Sequence, residues 1–287
     1  MRVAVEQKTG LEHENAPVRS WSARLTMLLA ERQGKTRLAK KTQVGPLTLQ
    51  RAHHPEGGLA HLHLLHPPGG VVGGDSLEIC VNSDQSSGAL ITTPGATKFY
   101  HGNGFGARQV QNLVVGKDAS LEWLPQENIF FNGAQVKMNT LVEVEVGGSL
   151  FFWEINCFGR PAAARPFIEG SVSNRMKVQL ADRLVLNEVF VHNAERDSLN
   201  AATGLRGMNT MATLLAFPIE DQVVSALVQE TDQVGVSYGA TCMDELLVVR
   251  CLGHSAEQVR RLLESIWVFL RPSVLQRPAV PPRIWQT

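Results

Sequence analysis

The sequence predicts a β-rich α+β fold, a layered or coiled β core with two main helices in the C-terminal third. Three observations carry this. Short alternating apolar runs broken by Gly and Pro dominate from about residue 36 to about residue 190. A weak echo begins at Gly88-Ala89-Leu90, Ala119-Ser120-Leu121 and Gly148-Ser149-Leu150, and its spacing of roughly 30 residues is what stacked β-layers need. Helical spacing is confined to two segments beyond about residue 200.

In chain order, residues 1–20 read as a loose tail and residues 21–287 as one domain. Its β core spans about 36–190 and an α+β part about 205–275. Trp21 to Ala30 has apolar residues at mixed spacing, Gln33-Gly34-Lys35 reads as a turn and Thr36-Arg37-Leu38 as a strand start. Leu62 to Leu65, Ala89 to Thr93, Asn112 to Val115 and Thr140 to Val146 read as strands, the last with Val142, Val144 and Val146 on one face. Met211 to Phe217, Val234 to Tyr238 and Leu246 to Leu252 follow as strands. Ile219 to Glu230 repeats Val223, Val224, Leu227 and Val228 at helical spacing, with Glu220 and Asp221 in the first turn. Ser255 and Gln258 form a capping box for a second helix, carried by Val259, Leu262, Leu263, Ile266 and Phe269, that stops before Pro272. Pro278 to Trp285 is extended.

Composition excludes several function classes. Lys and Arg number 27 and so do Asp and Glu, so there is no excess of cations for nucleic acid or an anionic membrane. Only two of the aromatics are Tyr, which argues against a base-stacking surface. No apolar run reaches the length of a membrane span, and Met1 to Asn15 lacks the apolar stretch of a signal peptide, so a cytoplasmic location is expected. Cys80, Cys157, Cys242 and Cys251 are scattered through apolar runs and read as buried free thiols.

No motif assembles a recognisable reaction. Gly69-Gly70-Val71-Val72-Gly73-Gly74-Asp75-Ser76 has the spacing of a phosphate-binding loop, but Asp75 stands where the Lys should be and a strand follows instead of a helix. A tight turn, with glycines at positive φ and Asp75 capping the backbone, is the better reading. His61 and His63 share one face of a strand and His66 follows, a set that suits zinc or nickel if the imidazoles meet. Glu122 and Glu127 could be paired carboxylates, but Pro125 between them breaks periodicity, and a backbone-binding or solvated role is the simpler account. Lys98 is a nucleophile only if buried, and a surface Lys is the plainer reading. Trp123, Phe151, Phe152 and Trp153 read as core.

Three blocks together resemble the urease accessory protein UreD family (UreH in some systems). They are His66-Pro67-Pro68-Gly69-Gly70-Val71-Val72-Gly73-Gly74-Asp75, Thr92-Thr93-Pro94-Gly95-Ala96-Thr97-Lys98-Phe99-Tyr100, and Leu121-Glu122-Trp123-Leu124-Pro125-Gln126-Glu127. Gly45-Pro46-Leu47, Trp153-Glu154, Gly159-Arg160-Pro161, Trp267 with Leu270-Arg271-Pro272, and Pro282-Arg283-Ile284-Trp285 agree as well. The resemblance implies a β-rich fold with two helices and a maturation factor that is not itself an enzyme. It implies work with the accessory protein F and the GTPase G to insert nickel into apo-urease, with no permanently bound cofactor and Ni²⁺ in transit. A transit path needs weak, unsaturated ligands, and within the blocks Asp75, Glu127 and His66 fit that need. Two positions depart from the family pattern: His101 replaces an Arg after Phe-Tyr, and Arg165 replaces a frequent Glu before Phe167. A cation at 165 opposes a passing metal ion and favours partner contact there. The competing readings are a stand-alone nickel-binding carrier using His61, His63 and His66, and, ranked last, a hydrolase using Glu122 or Glu127.

Overall fold

The computed structural model describes residues 20–196, 199–230 and 235–286. The predicted tail therefore lies outside the described residues, except for Ser20. β1 (Ser22–Arg32) and β2 (Lys35–Val44) form an antiparallel hairpin whose turn uses Gln33 and Gly34 at positive φ. Short strands β3 (Thr48–Leu49) and β4 (His53–Glu56) lead into β5 (Leu59–Leu65).

From β5 onward the chain coils. β6 (Ser76–Ser83), β7 (Gly88–Thr92), β8 (Thr97–Phe99), β9 (Ala107–Val115) and β10 (Ser120–Trp123) come first. β11 (Asn128–Phe130), β12 (Gln135–Val144), β13 (Ser149–Phe158), β14 (Ser171–Leu180) and β15 (Arg183–Asn193) follow. The strands are dealt alternately to two sheets. One has seven strands in the order β15-β14-β12-β9-β6-β1-β2, and β5, β7, β10 and β13 lie side by side in the other. Each coil neighbour is parallel, which is the predicted layered core. The second sheet is extended antiparallel by β16 (Thr210–Phe217), β18 (Leu246–Gly253) and β17 (Val236–Met243), the last two joined as a hairpin. The two helices are α1 (Asp221–Glu230) and α2 (Ala256–Leu275).

The echo in the sequence is real but shifted by one residue. Gly88 stands beside Ser120, and Ser120 beside Ser149, so Leu121 and Leu150 align while Leu90 lies beside Glu122. A one-residue slip exchanges faces. Leu121 and Leu150 accordingly pack between the sheets, whereas Leu90 packs under α2.

Two cores follow from this layering. Between the sheets, Leu25, Ile79, Leu113 and Val142 meet Leu62, Ile91, Leu121 and Phe152. On the other side of the larger sheet, Phe151, Trp153, Leu214 and Val249 bury against Val259, Leu262, Leu263, Ile266 and Leu270 of α2. Each such side chain removed from water contributes about 1.5–3 kcal/mol.

Five sequence readings need correction. Pro278 to Trp285 is not extended throughout, because Arg283–Gln286 form a 3₁₀ turn. The strand read over Thr140 to Val146 ends at Val144, and Val146 lies exposed in the turn beyond it. The segment read as mixed from Trp21 to Ala30 belongs to strand β1, Ser22–Arg32, in which Ala23, Leu25, Met27 and Leu29 alternate inward; Leu28 and Ala30 on the outer face blurred the period. The second predicted late strand begins at Val236, and Val234 falls outside the described residues. α2 has the predicted cap, Ser255 accepting from Gln258 N, but runs through Pro272 to Leu275. An interior proline costs about 3 kcal/mol. Burial of Arg271 and Val274 on either side of it offsets that cost.

Candidate functional site

The three family-like blocks occupy the same rim on successive turns of the coil. β8 pairs with β11, and β11 with the end of β13. Val71 N donates to Lys98 O at 2.7 Å, Thr97 N to Glu127 O at 2.9 Å, and Gly159 N to Phe130 O at 2.8 Å. Gln126 N reaches Thr93 Oγ1 at 2.9 Å. Thr92 donates to Leu124 O at 2.6 Å and accepts from Trp285 Nε1 at 3.0 Å. Trp153 Nε1 donates to Pro125 O at 2.7 Å. The block residues thus tie one turn to the next, leaving Pro67, Pro68, Gly69, Pro94 and Gly95 exposed along the rim.

The Gly-rich run is a turn feeding strand β6, with Gly69 and Gly74 at positive φ. Close approach explains the other two glycines. A Cβ on Gly70 would lie 2.1 Å from the Tyr100 ring, and one on Gly73 would lie 2.2 Å from Gly102 O and 2.5 Å from Phe105 O. Backbone cannot step aside as a flexible side chain can. Gly73→Ala is expected to cost about 1–3 kcal/mol, read as a lowered midpoint in thermal or urea unfolding. An unchanged midpoint would refute this packing.

Asp75 is buried, with Oδ1 accepting from Trp21 N at 3.1 Å and Oδ2 from Val72 N at 3.0 Å. Both oxygens are engaged by the backbone, as the capping reading expects. His66 packs on Trp21 at 5.2 Å and lines a cleft of about 460 Å³ with Thr93, Thr97, Lys98 and Gln109. Burial lowers its pKa, against the pull of Asp75, so the ring is neutral near pH 7 and its Nε2 has no partner among the described residues. Lys98, Tyr100 and Glu127 are half-buried. Gly159 at φ 80 starts the loop in which Arg160 lies over the Phe131 ring at 4.6 Å, and Arg165 is exposed.

Glu122 overturns its simpler reading. It is neither solvated nor backbone-bound, and Glu127 takes no part in its cluster. Arg271 Nε and Nη2 donate to its two oxygens at 3.0 and 2.8 Å, and Trp267 Nε1 donates at 2.6 Å. The same guanidinium donates to both oxygens of Glu56 at 2.6 and 2.9 Å, and Glu56 meets His61 Nε2 at 2.6 Å. Burial pushes the Glu122 carboxyl up against the pull of Arg271. For Glu56, burial is outweighed by its bonds to His61 and Arg271, which hold it below the usual carboxylate range. This cluster locks α2 to the larger sheet. Trp123, next in sequence, points the opposite way into the space between the sheets.

A second polar group crosses the interior. Glu154 on β13 is buried, and its Oε1 accepts from Asn156 Nδ2 at 2.8 Å and from Asn174 Nδ2. Asn128 Nδ2 continues the chain to Asn156 Oδ1 at 3.0 Å. Burial pushes the Glu154 carboxyl up to about 6, two amide donors oppose it, and the charge of Glu188 adds to the rise. Glu154 Oε2, Gln111 Oε1, Thr140 Oγ1 and Asn174 Oδ1 find no partner among the described residues. Gln109, Gln111, Trp123 and Glu154 line a narrow void of about 30 Å³, bounded also by Thr93 and Thr97, which line the His66 cleft as well. A seam of carboxylate and amide oxygens therefore runs through an otherwise apolar core. In the sequence Glu154 stands out only as half of the pair Trp153-Glu154. The available signal was its place in Leu150 to Phe158, where an acidic side chain interrupts a strand buried on both faces.

Among the described residues, no group of three or more His, Cys, Asp and Glu side chains could hold a metal ion. His61 is committed to Glu56 and His63 Nδ1 meets Gln50 at 2.9 Å, so His61, His63 and His66 do not form a set. Asp75, Glu127 and His66 do not form one either. All four cysteines are free, Cys157 and Cys251 buried and Cys80 and Cys242 half-buried, which corrects the uniform burial expected of them. Burial pushes the Cys251 thiol up to about 12. No helix among the described residues is long and apolar enough to cross a membrane.

The relatives give this arrangement its context. The family described as UreD urease accessory protein matches residues 22–286. The urease accessory protein UreD of Pseudomonas entomophila (strain L48) is 39% identical over 267 residues, 93% of this chain and 95% of that one. That of Escherichia coli is 39% identical over 274 residues, covering 93% and 97%. That of Alcanivorax borkumensis is 38% identical over 295 residues, covering 99% and 100%. A match that spans the coil, both helices and the terminal Trp285 means that this chain belongs to the UreD urease accessory protein family.

Proposed function

We propose that this protein is a cytoplasmic, non-enzymatic scaffold for nickel insertion into apo-urease, acting with the accessory protein F and the GTPase G. Family membership supports the pathway. The observation that carries the mechanism is the interior seam around Glu154. A cation crossing a protein needs oxygen ligands that are incomplete, because a saturated set traps the ion. One carboxylate with amide and hydroxyl neighbours meets that need, and a carboxyl titrating at about 6 exchanges its proton for a divalent cation near neutral pH. Nickel here is cargo, and the chain makes and breaks no covalent bond. Asp75 and the rim glycines hold the loops that shape the entrance, while the exposed rim residues are available to partners.

The stand-alone carrier reading gains no support, since its three histidines are separately engaged or apart. Calorimetry with Ni²⁺ is expected to give weak, substoichiometric binding. The deciding experiment is deletion of the gene in a urease-positive host. Urease activity and urease-bound nickel should both fall, and both should return on re-expression of the chain. Normal nickel loading in the deletion strain, or turnover of a small molecule by the isolated chain, would overturn the proposal.

A further inference from the structure

The two outer faces of the sheet pair differ. α2 covers the larger sheet at β13, β16 and β18, and α1 lies against β17. Among the described residues the seven-stranded sheet has no such cover, and the outward residues of its central strands are half-buried or exposed. Register brings cations together there. Arg108 stands beside Lys137, Asn139 beside Arg175, and Leu141 beside Lys177. Across β9, β12 and β14 the outward rows carry those four cations and one carboxylate, Glu143. No ion pair among the described residues engages any of the four. By contrast Glu78, further along the sheet, is held by Arg24 at 2.7 Å. The face ends at strand β15, where Val189 and Val191 are 52% and 64% exposed beside Arg175 and Ser173.

A chain with no net formal charge that gathers cations, unpaired among the described residues, on an uncovered sheet face has a directional surface. We propose that this face docks a folded protein through a flat, acidic surface on that partner. Charge complementarity selects the sign. The apolar residues select the class: Leu141, Val189 and Val191 would be buried against a protein, but would face the charged backbone of a nucleic acid or the headgroups of an anionic membrane unmatched. The outward rows of β9, β12 and β14 hold no aromatic on which bases could stack.

The test uses the intact chain on a biosensor with two purified probes, the accessory protein F and apo-urease from the same host; that choice rests on the proposed maturation role. For one probe, Lys137→Glu/Lys177→Glu should weaken binding at least tenfold, and wild-type binding should weaken as salt rises. Lys137→Arg/Lys177→Arg should bind as wild type, and so should the distant control Arg51→Glu/Arg283→Glu. Melting curves establish that each variant is folded. Equal binding of both probes to wild type and to folded Lys137→Glu/Lys177→Glu overturns the docking face and leaves the maturation role standing. Failure of both probes to bind wild type overturns the maturation role and this inference with it. Binding of a DNA duplex or phosphatidylserine vesicles as tightly as either protein would overturn the choice of a protein partner.

Discussion

Replacing Arg271 with Ala is expected to destabilise the fold by about 3–5 kcal/mol, a fall in melting temperature of about 10 °C for a chain of this size. The reason lies in what the substitution leaves behind. Arg271 is fully buried and supplies four donor contacts to Glu122 and Glu56. Without it Glu122 retains, among the described residues, only Trp267 as a donor, and two buried carboxylates are left without their shared cation. Removing one partner of a buried ion cluster costs far more than the cluster's net worth, because the remaining charge is unpaired. Arg271→Lys should rescue little of the loss, since one ammonium cannot match two carboxylates as the guanidinium fork does. Thermal and urea unfolding of the three proteins decide the matter. A midpoint within about 0.5 kcal/mol of wild type for Arg271→Ala would mean that α2 is held by apolar packing alone.

The same residue marks the limit of what the sequence makes legible. Period-two runs and the 3.6-residue pattern of Val259, Leu262, Leu263 and Ile266 expose strands and helix directly, because burial on one face writes alternation into the chain. Arg271 follows Leu270 and precedes Pro272, where local rules end the helix. Only its partners Glu122 and Glu56, 149 and 215 residues away in sequence, show why the helix continues. The echo at Gly88, Ser120 and Ser149 could be seen but not phased, since small residues on either side of the true register look alike and only pairing resolves a slip of one.

The site was less legible than the fold. Block residues such as Gly70, Gly73, Asp75, Thr92 and Pro125 could be named from the sequence, yet their spacing carries no statement of what they touch. In the structure they join turn to turn of the coil. His61, His63 and His66 lie close in sequence and invite a metal reading. Glu56, brought to His61 by the β4–β5 pairing, answers it with a short hydrogen bond. The seam escaped because its members, Gln111, Asn128, Thr140, Glu154 and Asn174, come from five strands and converge only when the two sheets close.

Glu154→Gln should therefore separate stability from function. The folded chain holds this carboxyl at about 6, above its ordinary value of 4.5. The fold thus favours the protonated form: that contribution is full below about pH 4.5 and is lost as pH rises through about 6. At pH 8 the ionised side chain costs about 2 kcal/mol. Glutamine stays neutral and keeps an oxygen for Asn156 and Asn174. The variant should match wild type at pH 4 and exceed it by about 2 kcal/mol at pH 8. If the carboxylate is there to hand on an ion, the more stable protein should be the poorer maturation factor, with urease activation falling about tenfold or more. A loss of stability at pH 8 would show the carboxylate to be structural. Undiminished activation by the stabilised variant would mean that nickel does not depend on this seam. Sites retained for function hold charges that the fold would be more stable without, and Glu154→Gln measures whether Glu154 is such a site.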